Sequence, residues 1–304
     1  MSNTFELALA PFHFKIYTDM PLVADNLRLM YGNRVHDVTG QSGVLPYIDY
    51  ILHITHTNGI RRYFRPQARF KCDQYEPFKP LNHSQAFAML EWGMNWAVAS
   101  YEMEHVVIHS GVLALGDDAV LFPAPPGSGK STMTAHLAFN GWRLLSDEMA
   151  LITPLSQSVT PFVRPICLKN QSIELAKQWF ANAQFSSIAK DTHKGDVIHL
   201  APPIHQPSDL HRPAMIKAIV FPQYQADTDI DIIELNQSQA MHQLADNSFN
   251  YSVLGERGFN TLIGVVEKAR CFQISYSHAS DVQEFLEQEV LHHNVLEVAV
   301  EYND

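Results

Sequence analysis

The sequence predicts an α/β protein. A domain over residues 104–304 is built around a phosphate-binding loop, and a smaller α+β domain over residues 1–103 precedes it. Three observations predict this. Residues 120–131 read as an apolar strand, a turn rich in Pro and Gly, and a helix start. Beyond them, short apolar runs of strand length alternate with segments of helical period. Near residue 103 a long helical stretch gives way to closely spaced short strands.

The elements follow in order. Residues 5–18 are rich in β-formers and predict a strand interrupted near Pro11. Pro21 suits a first helical position, Val23, Leu27, Met30 and Tyr31 share one face, and Gly32 can end the helix. Residues 47–57 predict a strand, Asn58-Gly59 a hairpin turn, and residues 60–64 its antiparallel return. Arg61, Arg62, Arg65, Arg69 and Lys71 form a basic cluster, readable as a solvated sheet face or as a substrate-docking patch. From Asn82 a long helix is expected, because Phe87, Leu90, Met94, Ala97 and Tyr101 recur at helical spacing. Trp92 and Trp96 are expected to pack against a neighbour. Residues 106–108, 112–115 and 119–122 predict three strands, with Gly116-Asp117-Asp118 turning between the last two. A helix at 131–139, closed by Asn140-Gly141, and strands at 144–145 and 150–152 follow. Residues 156–213, polar and rich in Pro, predict mobile loops around a helix at 172–179 and a strand at 197–200. Last come a strand at 214–221, helices at 238–245 and 259–266, a strand at 271–276, and a helix from Asp281.

Composition sets bounds. The net charge of -11 argues against a general nucleic-acid partner, whose phosphates would be repelled. Cys72, Cys167 and Cys271 lie far apart without metal-ligand spacing, which predicts buried reduced thiols. The start, MSNTFELALA, has no basic segment leading into an apolar one, and no uncharged apolar run is long enough to span a bilayer. A cytoplasmic protein with no membrane partner is expected.

The chemistry centres on the loop. Pro126, Gly127, Ser128, Gly129, Lys130, Ser131 and Thr132 form a Walker A core, except that Ala124 stands where the consensus has its first Gly. Such a turn aims backbone N–H groups at anionic oxygens, and the helix behind it adds its positive end. Lys130 can reach the β- and γ-phosphates, and Ser131 can hold Mg²⁺. Downstream, Leu144-Leu145 lead into the adjacent acids Asp147 and Glu148, which can hold a metal or accept a proton. Upstream, His109 follows a short apolar strand, and is expected beside Asp147 across the sheet.

Together these segments resemble the catalytic domain of bacterial HPr kinase/phosphorylase. The resemblance rests on His109-Ser110-Gly111-Val112-Leu113, Gly127-Ser128-Gly129-Lys130-Ser131, and Gly141-Trp142-Arg143-Leu144-x-x-Asp147-Glu148. It covers residues 105–152. The chain looks closest to the HPr kinase-related kinase A group, whose C-terminal region is similar to residues 247–251 and 254–259 here.

The resemblance implies a fold like the phosphoenolpyruvate carboxykinase core. It also implies transfer of the ATP γ-phosphoryl group to a Ser/Thr hydroxyl of a peptide or small protein, with Mg²⁺ or Mn²⁺. Lys130 would neutralise the phosphates and Ser131 would ligate the metal. Asp147 would take the acceptor's proton, His109 would hydrogen-bond and tune Asp147, and Glu148 would help hold the metal; an exchange of roles between the two acids stays open. Lys190 and Lys194 lie in a stretch able to close over ATP, and Asn250 and Arg257 are candidates for the acceptor pocket. Related kinases in modified-peptide systems suggest a PqqD-like carrier as partner, and analogy leaves a homo-oligomer open. The family's Pro-Gly-Arg-Asn signature is absent, and Glu148 replaces its second Asp. A small-molecule hydroxyl kinase and a non-catalytic nucleotide-binding accessory protein are the alternatives.

Overall fold

A computed structural model of the chain describes residues 2–59, 63–125 and 127–292. Pro126 of the loop, and Ile60, Arg61 and Arg62 of the expected return strand and basic cluster, lie outside the described residues.

The expected first strand is two. β1 (Asn3–Leu9) and β2 (Phe12–Thr18) form an antiparallel hairpin about Pro11. α1 (Pro21–Tyr31) buries Val23, Leu27, Met30 and Tyr31, as its spacing predicts. β3 (Val35–Asp37) pairs with β1, and β4 (Tyr50–His56) lies parallel to β2. The strand returning beside β4 is β5 (Gln67–Cys72), not residues 60–64. Ala68, Phe70 and Cys72 supply the alternate buried side chains a half-buried strand needs, whereas Tyr63 and Phe64 are exposed in the turn. β6 (Leu81–Asn82) completes a six-stranded sheet of order β3-β1-β2-β4-β5-β6.

α2 (Ala86–Tyr101) packs on β5. It is apolar nearly all round, the signature of a helix covered on several sides. Gly93 allows the approach: a Cβ there would stand 2.2 Å from the Phe70 ring. The same core takes in Val107, Met149, Leu151 and Phe162 from the larger half, so the two halves share apolar packing.

The larger half holds β7 (Val106–Ile108), β8 (Ser110–Leu115), β9 (Asp118–Pro123), α3 (Lys130–Phe139), β10 (Arg143–Ser146), β11 (Ala150–Ile152) and β12 (Ser158–Thr160). β13 (Ile166–Lys169), α4 (Gln171–Trp179), β14 (Ala189–Thr192) and β15 (Gly195–Leu200) follow. Then come β16 (Ala214–Tyr224), β17 (Asp231–Glu234), α5 (Gln237–Asp246), α6 (Tyr251–Leu254), α7 (Glu256–Lys268), β18 (Arg270–Tyr276) and α8 (Ala279–Phe285).

The main sheet runs β10-β8-β9-β16-β12-β11-β7, with β18 joining β16 and β17 joining β18. β9, β16 and β18 are mutually parallel, and the other pairs are antiparallel. Side chains alternate across it. Leu113, Val120 and Phe122 enter one core with Met133 of α3, while Val112, Leu121 and Ile219 enter the other with Leu262 of α7. Mixed strands carrying helices on both faces make this an α/β fold. The stretch expected as loops also holds a three-stranded sheet, β13-β15-β14. Its outer strand, Ala-Lys-Asp-Thr, is too short and polar to register as apolar periodicity. Among the described residues no helix is long and apolar enough to cross a membrane.

Candidate active site

The loop sits where parallel strands end. β9 stops at Pro123, and Tyr224 and Tyr276 are the last residues of the adjacent parallel strands β16 and β18. Open α/β sheets commonly bind ligands beyond such carboxyl ends. Tyr224 N donates to Ser128 O at 3.0 Å, anchoring the turn. Gly127 and Gly129 have φ of 93° and 86°, the left-handed region. At Gly129 a Cβ would also meet Tyr276 Oη at 2.5 Å, so both conformation and space require glycine. Ala124, at the consensus glycine position, is buried.

Behind the loop, α3 opens with Lys130, only 7% exposed, whose Nζ has no hydrogen-bond partner among the described residues. Burial pulls its pKa down to about 8, against the pull of Asp147 and Glu148. The strand leading to the acids is irregular: β10 (ending at Ser146) slips register against β8 between Leu144 and Ser146. Such a bulge re-aims the residues after it. Asp147 Oδ2 then accepts from Ser131 Oγ at 3.3 Å and from Cys167 N at 2.9 Å. Its Oδ1 is buried without a partner. Burial, then the neighbouring Glu148 charge, pushes the Asp147 pKa up to about 6.

Glu148 points elsewhere. Its Oε2 accepts from Asn95 Nδ2, and Lys169 Nζ stands 4.0 Å from Oε1. Burial would raise its pKa, but Lys169 and then Lys130 outweigh that and hold it down to about 2. Glu148 and His109 line a cavity of about 540 Å³ between the two halves. His109 N donates to Asn247 O at 2.7 Å, and its ring centroid lies 5.9 Å from that of Phe249. Burial, then Lys130, lowers the His109 pKa to about 4, so the ring is neutral at pH 7. The expected His109–Asp147 hydrogen bond is not made, since Oδ1 is unpartnered and Oδ2 is taken by Ser131 and Cys167. β7 lies beside β11, which places His109 with Glu148 at the cavity instead.

A buried polar chain leads to Glu148 from the smaller half. Tyr31 Oη donates to Glu91 Oε1 at 2.6 Å, and Arg164 Nη2 donates to Glu91 Oε2 at 2.8 Å. Arg164 Nη1 donates to Asn95 Oδ1, and Asn95 in turn donates to Glu148. Sequence reasoning missed Glu91 and Asn95. Their spacing of four in an otherwise apolar helix was the available signal, because it sets both on one face. Arg164 is consumed in this network.

Thr132 lies half-buried in the first turn of α3. Lys190 lies within β14 and Lys194 in the β14–β15 turn. Lys190 O accepts from Gln85 Nε2 at 2.7 Å, and Lys194 Nζ stands 5.4 Å from the Trp92 ring centroid at the cavity. Asn250 is buried as a clamp: Oδ1 accepts from Val107 N, and Nδ2 donates to Glu102 O and His105 O, each at 2.9 Å. Arg257 Nη2 donates to Met103 O. Neither Asn250 nor Arg257 lines the cavity. Arg69 and Lys71 lie on the face of β5 opposite its buried residues, Arg69 3.8 Å from Glu76. Arg65 is exposed in the turn before β5. Cys72, Cys167 and Cys271 are buried free thiols.

Orphaned groups test whether MgATP fits. Among the described residues Lys130 Nζ, Asp147 Oδ1 and Ser128 Oγ are all buried without partners, an expensive state that a phosphate and its metal would relieve. Among the described residues no group of three or more His, Cys, Asp and Glu is placed to hold a metal. A Mg²⁺ bound through one or two protein oxygens and substrate phosphates needs no such group. No protein-family model matches the chain, and no curated protein matches it.

Proposed function

We propose that the chain is an ATP-dependent kinase of HPr kinase-like type, acting on a Ser/Thr hydroxyl of a peptide or small protein. The observation that carries this reading is the buried, unpartnered Lys130 ammonium behind a Gly-Ser-Gly turn, with Ser131 bonded to Asp147 beside it.

ATP as substrate would supply the phosphoryl group, and Mg²⁺ bound with it would spread the charge of its phosphates. Backbone N–H groups of residues 127–131 and Lys130 hold those phosphates. Ser131, with Asp147 behind it, would hold the metal. The geometry favours the exchanged assignment of the acids: Asp147, 3% exposed, is sealed on the Ser131 side, while Glu148 faces the cavity. Glu148 takes the proton as the acceptor oxygen bonds to phosphorus and ADP leaves. A bound polyanion beside Lys130 and Lys169 loosens their hold on Glu148 and raises its proton affinity. Neutral His109 shares that wall and orients the hydroxyl.

Transfer from γ-labelled ATP to candidate peptides, read by mass spectrometry, tests the reading. Glu148→Gln is expected to lose transfer by roughly 10²–10⁴-fold while still binding MgATP. Undiminished transfer in Glu148→Gln would remove it as the base and return that role to Asp147.

A further inference from the structure

The cavity above Glu148 and His109 has a chemistry of its own. Phe78 stands before β6, and Trp92 and Trp96 on α2, so the smaller half supplies much of an aromatic wall. Met149 and Phe249 face it from the larger half. Lys79 and Lys194 border the same space, and both are exposed. They come from different segments, the β5–β6 connection and the β14–β15 turn.

We propose that this cavity binds the acceptor. It selects a peptide whose hydroxyl residue has aromatic neighbours and an acidic residue close by in the chain. The inference rests on the kinase reading for the meaning of "acceptor" and adds the substrate class. A volume of about 540 Å³ exceeds what one serine side chain fills, so neighbouring groups must enter with it. Aromatic walls favour aromatic or large apolar neighbours by removing their surface from water. The protein's net charge of -11 repels an acidic segment in general, so recognition of one depends on local cations. Lys79 and Lys194 supply them beside the aromatic wall. The Glu148 carboxylate and the neutral His109 imidazole complete the lining.

Two synthetic hexapeptides test this, Gly-Phe-Ser-Phe-Asp-Gly and Gly-Gly-Ser-Gly-Lys-Gly, each labelled and titrated by fluorescence anisotropy without nucleotide. The first is expected to bind at least tenfold more tightly, about 1.4 kcal/mol. The pair Lys79→Glu and Lys194→Glu, both exposed, should erase most of that preference, with circular dichroism confirming an intact fold. Trp96→Ala should weaken the aromatic peptide and leave the glycine peptide unchanged. Equal affinity for the two peptides, or a preference untouched by both lysine reversals, would overturn the inference. Selective binding without phosphoryl transfer from MgATP would instead refute the kinase reading and leave the peptide site standing.

Discussion

Asn95 of α2 donates from Nδ2 to Oε2 of Glu148, so a residue of the smaller half holds one of the paired acids. Asn95 is itself fixed by Arg164, which is paired to Glu91. The smaller half therefore helps orient the acid as well as walling the cavity. Asn95→Leu should cut transfer by roughly 10–100-fold, the usual cost of losing a group that orients a ligand or base. The KM for ATP should hardly change, because the loop is untouched. Steady-state kinetics in ATP checks this, and a change confined to the KM for ATP would contradict it.

Arg164 and Glu91 form an ion pair with side chains 9% and 2% exposed. Removing one partner strands the other charge in the interior. Arg164→Ala should cost about 3–5 kcal/mol in denaturant unfolding. The double variant Arg164→Met/Glu91→Leu should recover much of the loss, since neither charge then stays buried alone. A loss below about 1 kcal/mol in the single variant would place the pair in a far wetter setting.

Asp147 sets a pH dependence. Its pKa, raised to about 6 by burial and by Glu148, means that its carboxylate gains a proton as pH falls through that value. A proton and a metal compete for the same oxygens. MgATP affinity should therefore drop roughly tenfold from pH 7 to pH 5, with the loss on the acid side. His109, near 4, stays neutral over this range and Glu148, near 2, stays ionised. Calorimetry reads the change against Asp147→Asn, which keeps only the nucleotide's own titration. Identical profiles for both proteins would remove Asp147 from the metal side.

The loop, its helix and the strands around it were legible because each depends on local sequence. Pro and Gly mark the turn, and apolar runs mark the strands. β5 was misplaced because Asn58-Gly59 reads as a tight hairpin turn, which would begin the return strand at residue 60, whereas it begins at Gln67. The partition of the acids was not legible. Asp147 and Glu148 are neighbours in the chain, yet just beyond β10 one reaches Ser131 and the other Asn95. His109 was picked out by its position before the loop, but its partner depends on which strands lie beside β7. Asn250 was noticed, and only the fold shows that its side chain is spent on backbone groups.

Gly93 tests the packing between α2 and β5. Alanine there would press its methyl into the Phe70 ring, 2.2 Å from the nearest carbons. Gly93→Ala should destabilise by about 1–3 kcal/mol, although alanine is the better helix former. Thermal unfolding of a Gly93→Ala/Phe70→Leu pair should show partial rescue. A Gly93→Ala protein as stable as the wild type would contradict so close an approach.

The most direct test of a MgATP site at this loop needs no acceptor. ATP is titrated calorimetrically into the wild-type protein, Lys130→Ala and Glu148→Gln, each with and without Mg²⁺. We expect metal-dependent binding in the wild type and in Glu148→Gln. In Lys130→Ala, affinity should fall by two orders of magnitude or more, about 3 kcal/mol, because the buried ammonium is lost. ATP binding that is equally tight in the wild type and in Lys130→Ala, or absent from the wild type, would contradict the proposal that residues 127–131 hold the phosphates of a nucleotide.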